Sequence, residues 1–178
     1  MNESEAIAEA DKRNREITAA FIKERLDRRR NFYNVYIDEY THGGLRIDGI
    51  SVNTRERTIK GYEVKVSRSD FKQDKKWHLY GEFCSSLSIV CPPNLIQPGE
   101  IDRPFGLIWI GYKARKTGYL DFGEWDVVET FEYKKRPKEL ADVNMYNWLF
   151  TYMRVLEFEF PRLVGEVADL RCALREKR

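Results

Sequence analysis

The sequence predicts an α/β domain, because three kinds of segment follow one another along the chain. A charged N-terminal segment carries apolar residues at helical spacing, middle segments rich in aromatic and β-branched residues alternate in polarity, and short apolar runs end at proline and glycine. With 178 residues and 42% hydrophobic content, the chain can bury one sizeable core. We expect an α/β core over residues 1–137 and a helical extension over residues 138–178.

The first half of the core is predicted to be a helix followed by three strands. Ala10, Ile17, Phe21 and Ile22 recur at near-helical spacing, which predicts one helix from Glu5 to about Arg30. Alternating and β-branched residues predict strands over residues 32–40, around Asp48 and over residues 59–67, with turns at residues 43–44 and 53–58. The three strands are therefore expected to be neighbours in one sheet.

The second half adds a helix, two buried strands, a ribbon and the extension. Ser67 or Ser69 can cap a helix that is predicted to continue to about Cys84. Buried strands are expected over residues 87–91 and 106–112, and a β-ribbon over residues 118–133. The helices of residues 138–178 carry an apolar stripe, so they either pack on the core, which we favour, or form a homodimer interface.

Composition predicts where the protein is located but does not by itself indicate a partner. Lys plus Arg number 31 against 29 for Asp plus Glu, so the net charge of +2 does not by itself indicate a nucleic-acid-binding protein. The polar N-terminus and the lack of a run of about 18 apolar residues predict a cytoplasmic protein without a membrane partner. Cys84, Cys91 and Cys172 lack Cys-x-x-Cys spacing, which favours buried thiols over a disulfide framework or a zinc site.

Three polar residues on the second and third strands form the candidate site. Alternation places Glu63 and Lys65 on one face of a strand. If the preceding turn is centred between Arg55 and Glu56, residue 48 opposes residue 63, and Asp48 then lies beside Glu63. Two adjacent carboxylates repel each other, and a hard divalent cation such as Mg²⁺ or Mn²⁺ would keep both ionised.

This set of residues suits metal-dependent hydrolysis of a phosphodiester bond. Asp48, Glu63 and the backbone carbonyl of Val64 can supply part of an octahedral shell, which leaves positions for water and for a phosphate oxygen. Lys65 would orient or deprotonate the attacking water, or offset the charge that builds on phosphorus. An ordinary cross-strand salt-bridge cluster is the alternative explanation for the three residues.

The same residues resemble the PD-(D/E)XK nuclease superfamily. Asp48 with Glu63-Val64-Lys65 matches its motif, and the continuation Val66-Ser67-Arg68-Ser69-Asp70-Phe71, with Lys75-Lys76-Trp77 and Tyr80, is similar to MmcB-like DNA-repair proteins. The resemblance covers roughly residues 45–112. It implies a restriction-endonuclease-like αβββαβ core, a mixed sheet flanked by helices, in which Asp48 and Glu63 bind metal and Lys65 is the catalytic lysine. Ile47 stands where the superfamily has proline.

The resemblance also raises the question of an acidic residue from the first helix, which many superfamily members contribute. Glu24 and Glu16 both precede the first strand, and we prefer Glu24 because it is nearer to the sheet. Arg68, Lys72 and Lys76 follow the catalytic strand and could contact a phosphate backbone, although Asp70 and Asp74 are interleaved and a solvated helix face explains them equally well.

The function predicted from the sequence is hydrolysis of DNA in repair or processing, with Mg²⁺ or Mn²⁺ as cofactor and DNA as partner. The competing hypothesis is a non-cleaving nucleic-acid-binding or regulatory module that keeps the nuclease fold, since the superfamily includes such members. A weaker alternative is a structural partner in which the C-terminal helices carry the function.

Overall fold

The computed structural model describes residues 1–31, 33–74, 76–117 and 123–140, and beyond them residues 148–149, 151–153, 156–157, 161 and 165. Its helices are α1 (Glu3–Arg15), α2 (Ala19–Asp27) and α3 (Arg68–Gln73), with 3₁₀ segments at Trp77–Glu82 and Pro98–Glu100. Its strands are β1 (Asn34–His42), β2 (Leu45–Asn53), β3 (Thr58–Val64), β4 (Ser86–Cys91), β5 (Gly106–Thr117) and β6 (Glu124–Lys135).

The six strands form one mixed sheet in chain order, which confirms the predicted α/β class. β1, β2 and β3 are antiparallel neighbours, β3 to β5 are parallel, and β6 returns antiparallel to β5. Parallel neighbours require a crossover connection, and the first of these contains α3 and the 3₁₀ segment Trp77–Glu82. The sheet therefore begins as a meander and is extended by crossovers.

The register between β2 and β3 is the one predicted from the centre of the turn. Val52 pairs with Ile59, and Ile50 pairs with Gly61. Continuing that register by two residues brings Asp48 beside Glu63. Because side chains alternate between faces, Glu63 and Lys65 lie on the same face as Ile59, with Ile50 and Val52 on the neighbouring strand. Alternation is broken between Ile50 and Ile47, since both are buried in one cluster, and the register alone does not set the face of Asp48.

The two faces of the sheet are covered by different elements. The first face carries Ile50, Val52 and Ile59. The buried Tyr80, from the 3₁₀ segment, and Phe83, which follows that segment, pack against it. The second face carries Tyr36, Tyr62 and Ile108, against which Ile22 and Leu26 of α2 are buried. The sheet is thus the middle layer of the molecule.

Four described residues of the predicted extension, among them Leu140, contact the first face. Leu140, Trp148 and Tyr152 pack against its buried cluster, and the buried hydroxyl groups of Tyr40 and Thr151 are 3.2 Å apart. Packing of the extension as a whole on the core, like a homodimer interface, stays a prediction. Most of the predicted C-terminal helices lie outside the described residues.

Two of the predicted helices are wrong in extent. The helix predicted over residues 5–30 is broken between α1 and α2, where the Thr18 side chain caps α2 and the adjacent Ile17 is buried. The helix predicted to run to Cys84 ends at Gln73, because Asp74 adopts an extended backbone and its carboxylate accepts a hydrogen bond from the Lys76 amide. Of the predicted ribbon, residues 118–122 lie outside the described residues, and β6 pairs along the whole of β5.

Cys84 and Cys91 are free, buried thiols, as predicted from their spacing. Burial raises the pKa of both, that of Cys91 to about 12, so neither is a reactive thiolate at neutral pH. Cys172 lies outside the described residues. Within the part of the chain that the structure describes, no helix combines the length and the apolar character needed to cross a membrane.

Gly61 tests the packing of the first face. A β-carbon at this position would lie 2.8 Å from each of Cys84 Sγ, Ile47 Cδ1 and Leu87 Cδ1, whereas Gly99 has open space around it. We expect Gly61→Ala to lower the free energy of unfolding by about 1–3 kcal/mol, because an extra methyl group overpacks a filled core. The matched control Gly99→Ala should change it by less than about 0.5 kcal/mol. Urea denaturation measures both, and equal stability of the two variants would contradict the packing described here.

Candidate active site

Backbone pairing sets the positions of the three predicted site residues. Asp48 lies in β2, Glu63 lies in β3, and Lys65 follows the last residue of β3. The Val64 amide donates a hydrogen bond to Asp48 Oδ2 at 2.8 Å, and the Lys65 amide donates to the Val90 carbonyl of β4 at 2.9 Å. The side chain of Asp48 is therefore fastened to the backbone immediately after Glu63.

Lys65 is the centre of a buried ion cluster. Its Nζ lies 3.0 Å from Glu63 Oε1, 2.5 Å from Asp74 Oδ2 and 3.7 Å from Asp70 Oδ1. The side chains of Lys65 and Glu63 are only 4% and 8% exposed, whereas Asp74 is 16% exposed and Asp70 is 48% exposed. A buried ammonium needs such partners, since an unpaired charge in the interior is costly.

Glu63 carries more negative charge around it than Lys65 neutralises. The pKa of Glu63 is raised to about 7, because burial and the charge of Asp48 together outweigh the opposing effect of Lys65. Glu63 Oε2 is buried without a hydrogen-bond partner among the described residues. A buried acceptor of this kind is usually satisfied, so this oxygen is the atom of the site that calls for an additional ligand.

Lys65 and Asp74 remain charged. Burial by itself lowers the pKa of Lys65, but the hydrogen bond to Asp74 and the charge of Glu63 outweigh it, and the net shift is upward. Burial also opposes ionisation of Asp74, yet hydrogen bonds from Lys65 and from the Lys76 amide bring its pKa below the ordinary value. Lys65 is therefore an ammonium group at neutral pH.

Tyr80 provides separate evidence that the acidic residues converge. Burial raises its pKa to about 12, and the charges of Glu63, Asp74 and Asp48 contribute in the same direction. Its hydroxyl donates a hydrogen bond to the Arg46 carbonyl at 2.6 Å, two residues before Asp48. Tyr80 is 5% exposed and belongs to the core.

Glu24 and Glu16, the candidates for an acidic residue from the first helix, lie apart from this cluster. The carboxylate of Glu24 is exposed and paired with Arg25 at 2.8 Å and with Arg28 at 2.6 Å. Glu16 is an exposed residue at the C-terminal cap of α1. Neither carboxylate contacts Asp48 or Glu63 among the described residues.

The predicted nucleic-acid-binding residues differ in whether their charge is neutralised within the chain. Both terminal nitrogens of Arg68 bind Glu100, at 2.7 and 2.6 Å, so its charge is largely neutralised within the chain. Lys72 and Lys76 are exposed, but α3 ends at Gln73, and the expectation that they share one helix face is therefore wrong. Their contact with DNA stays a prediction.

Asp74 is the residue that the sequence analysis missed. It was expected to be one of the acidic residues on a solvated helix face, whereas it lies at the helix end and binds Lys65. The only signal in the sequence is an acidic residue suited to ending a helix, which does not reveal a contact with Lys65, nine residues earlier.

The donor set available for a metal ion is small. Among the residues that the structure describes, no group of three or more His, Cys, Asp and Glu side chains is arranged to hold a metal. The carboxylates of Asp48 and Glu63 and the carbonyl of Val64 are oxygen donors, which suits a hard cation that retains water ligands. The unpartnered Glu63 Oε2 fits such an ion.

Comparison with known proteins supports the fold and leaves the activity open. No protein-family model matches the chain, and no curated protein matches it. A solved structure of a protein of unknown function from Silicibacter pomeroyi is similar, with a TM-score of 0.54 and 18% sequence identity over 92% of this chain and 90% of that chain. At this identity the likeness concerns the fold alone.

Asp74 and Asp70 form a matched pair for testing the ion cluster. Asp74→Asn removes the closest charge from a buried ammonium, and we expect it to lower the free energy of unfolding by about 1–3 kcal/mol at neutral pH. Asp70→Asn should cost less than about 1 kcal/mol, since that carboxylate is half exposed and more distant. Chemical denaturation of the metal-free protein measures both.

The same pair should differ in its pH dependence. Because folding lowers the pKa of Asp74, its stabilising contribution is present above the ordinary pKa of an aspartate and is lost as pH falls through the folded value. The deficit of Asp74→Asn relative to wild type should therefore shrink as the solution is acidified. A deficit that is independent of pH would contradict the ion pair.

Proposed function

We propose that this protein is a Mg²⁺- or Mn²⁺-dependent deoxyribonuclease that acts in DNA repair or processing. The observation that carries the proposal is the buried pair of Glu63 and Lys65 at the end of β3, with the Asp48 carboxylate bound to the Val64 amide between them. Two carboxylates beside a buried ammonium, with one carboxylate oxygen unpartnered, form a set that can bind a cation and contact a phosphate.

The order of the elements supports a restriction-endonuclease-like core. A helix, three antiparallel strands, a helical crossover and a parallel strand follow one another in α2, β1 to β3, α3 and β4, which is the αβββαβ order that the resemblance implies. Ile47 is completely buried in the first-face cluster. An apolar residue suits that position, so the departure from proline does not disturb the neighbouring Asp48.

Lys65 would act as a charged hydrogen-bond donor. Its raised pKa keeps the ammonium protonated, which favours neutralisation of charge at a phosphate oxygen over removal of a proton from water. Asp74 and Glu63 hold Nζ in place, so little of its position depends on the substrate. Asp48 is held by the Val64 amide, which leaves its other carboxylate oxygen for a ligand.

A divalent ion held by Asp48, Glu63 and the Val64 carbonyl would supply Lewis-acid polarisation of a phosphate oxygen and a water of lowered pKa. Its charge would also relieve the repulsion between the two carboxylates, which raises the pKa of Glu63 beyond the effect of burial. The residues of the chain would orient the phosphate, keep the carboxylates apart from bulk water and hold the proton on Lys65.

The alternative is a non-cleaving nucleic-acid-binding or regulatory module, and one observation favours it. The side chains of Glu63 and Lys65 are almost fully enclosed and already paired with each other, as they would be in an ion cluster that only stabilises the fold. Asp48 and Asp74 are the partly exposed members, so a substrate would have to approach from their side.

Metal binding can be tested separately from catalysis. We expect Mn²⁺ or Mg²⁺ at millimolar concentration to raise the Tm of the wild-type protein, because an ion that binds only the folded state stabilises it. Asp48→Asn and Glu63→Gln should abolish the shift. Asp70→Asn removes the same charge from a half-exposed position and should retain the shift. Equal shifts in all four proteins, measured by differential scanning fluorimetry, would exclude this site as the one that binds metal.

Catalysis is tested with labelled single-stranded, duplex and flapped DNA in Mg²⁺, Mn²⁺ or EDTA. We expect metal-dependent products from wild type and from Asp70→Asn, and a loss of at least about 100-fold in Asp48→Asn and Lys65→Ala, since each removes charge stabilisation at the phosphate. Gel electrophoresis measures the products. DNA binding without cleavage of any substrate in either metal would instead establish the non-cleaving module.

A further inference from the structure

The second face of the sheet contains a groove that the candidate active site does not use. Two adjoining cavities of about 180 and 280 Å³ share Lys60, Tyr62 and Tyr133 as lining residues. One extends towards the C-terminal end of α2 at Arg29 and Arg30, and the other extends towards residues 136–139. We call the two cavities together the β3 groove.

The floor of the β3 groove is polar although the rest of the same face is apolar. Strand pairing places Ser51 opposite Lys60, Ser86 opposite Lys60 on the other side, and Ser88 opposite Tyr62. These side chains lie where the sheet is not covered by α2, whereas Val64, Val90 and Ile108 are buried further along that face. A sheet face lined by hydroxyl and amino groups is suited to a polar ligand.

The charge of the β3 groove is positive. Five basic residues line it against two acidic ones, Glu56 and Glu139; the basic residues are Arg29, Arg30, Lys60, Arg136 and Lys138. Arg30 is paired with Asp27. No ion pair joins the other four to an acidic side chain among the described residues, unlike Arg25, Arg68 and Lys65. In a chain with a net charge of only +2, this is a local excess that favours an anion.

Aromatic rings accompany the positive charges. Tyr133 is 41% exposed, and the Arg136 guanidinium lies 5.4 Å from the centre of its ring. Arg29 lies 3.9 Å over the ring of Phe131. Arg29, Tyr62 and Tyr133 line the same cavity. Basic residues beside an exposed ring are the combination that binds both the backbone and the bases of a single strand.

One wall of the β3 groove depends on a glycine. A β-carbon on Gly106 would lie 2.7 Å from Pro137 Cδ and 2.7 Å from Ser88 Oγ. The absence of that carbon lets residues 136–138 lie close against the floor. On the same side, the Thr58 hydroxyl is buried without a partner among the described residues, so the groove also contains an unused polar group.

We propose that the β3 groove binds a single strand of nucleic acid, with phosphates at Arg29, Lys60 and Arg136 and a base against the ring of Tyr133. The polar serine floor, these three basic side chains and the exposed ring of Tyr133 suit the backbone and an unstacked base of a single strand. That the strand is DNA rests on the proposed function, whereas the chemistry of the groove requires only a phosphodiester chain. On β3, Glu63 then belongs to the candidate active site on the first face, and Lys60 and Tyr62 belong to the β3 groove on the second face.

The test measures binding without cleavage. Full-length protein in EDTA is titrated into a fluorescein-labelled oligo(dT) of about 12 nucleotides, and anisotropy gives Kd at several salt concentrations. We expect the triple variant Arg29→Gln/Lys60→Gln/Arg136→Gln to weaken binding at least about tenfold and to reduce the salt slope by about 2. Lys12→Gln on α1 is the control for loss of a surface charge and should bind like wild type.

Further variants separate binding from folding and from simple charge. Lys60→Gln alone disturbs no ion pair with a described residue and should weaken binding with an unchanged Tm, so a fold defect in the triple variant does not decide the outcome. Tyr133→Phe should bind like wild type and Tyr133→Ala should bind more weakly, since stacking needs the ring. Competition by poly-glutamate as strong as competition by unlabelled oligo(dT) would overturn the proposal, because the groove would then recognise charge alone.

The outcome for the groove is distinguishable from the outcome for the proposed nuclease. Asp48→Asn should keep the wild-type Kd for oligo(dT) in EDTA, so a failure to find hydrolysis would leave the groove intact. If Lys60→Gln, the triple variant and Tyr133→Ala all bind the oligonucleotide as wild type does, the groove is not its binding site, even if cleavage that depends on Asp48 and Lys65 is observed.

Discussion

The buried ammonium of Lys65 is the constraint on which the candidate site depends. A charge that is 4% exposed must be neutralised by groups that the fold brings to it, and these come from β3 and from the end of α3. The pairing therefore connects the central strand to the crossover that follows it. It also determines where the helix ends, because Asp74 binds Lys65 and the Lys76 amide instead of continuing the helix.

The cluster around Lys65 contains more carboxylates than ammonium groups. Three carboxylates lie near one ammonium, and the one on β3 has an oxygen without a partner among the described residues. Such an arrangement is held against repulsion by the packing around it, with Tyr80 and Ile47 on the first face. Sites that bind cations or anionic substrates have this property, since the ligand completes them.

Much of the fold follows from local patterns, and the errors occur where tertiary contacts override them. The register of β2 against β3 was correctly predicted from the polar turn, because a two-residue period places whole sets of side chains on one face. The single long N-terminal helix and the helix to Cys84 were wrong, because Thr18 and Asp74 end helices through caps that a periodic pattern passes over. The pairing of Arg68 with Glu100 joins residues 32 positions apart and has no local signature.

By itself, the sequence determined the α/β class, the neighbouring strands and the register that brings residue 48 opposite residue 63, since each follows from periodicity and turn chemistry. Only the tertiary structure decided that Asp74 joins Lys65 and that Glu100 neutralises Arg68. The tertiary structure alone also gathers Arg29, Lys60 and Arg136 in one groove. The physical reason is that desolvation and charge pairing act between residues brought together by packing, at separations that no local pattern records.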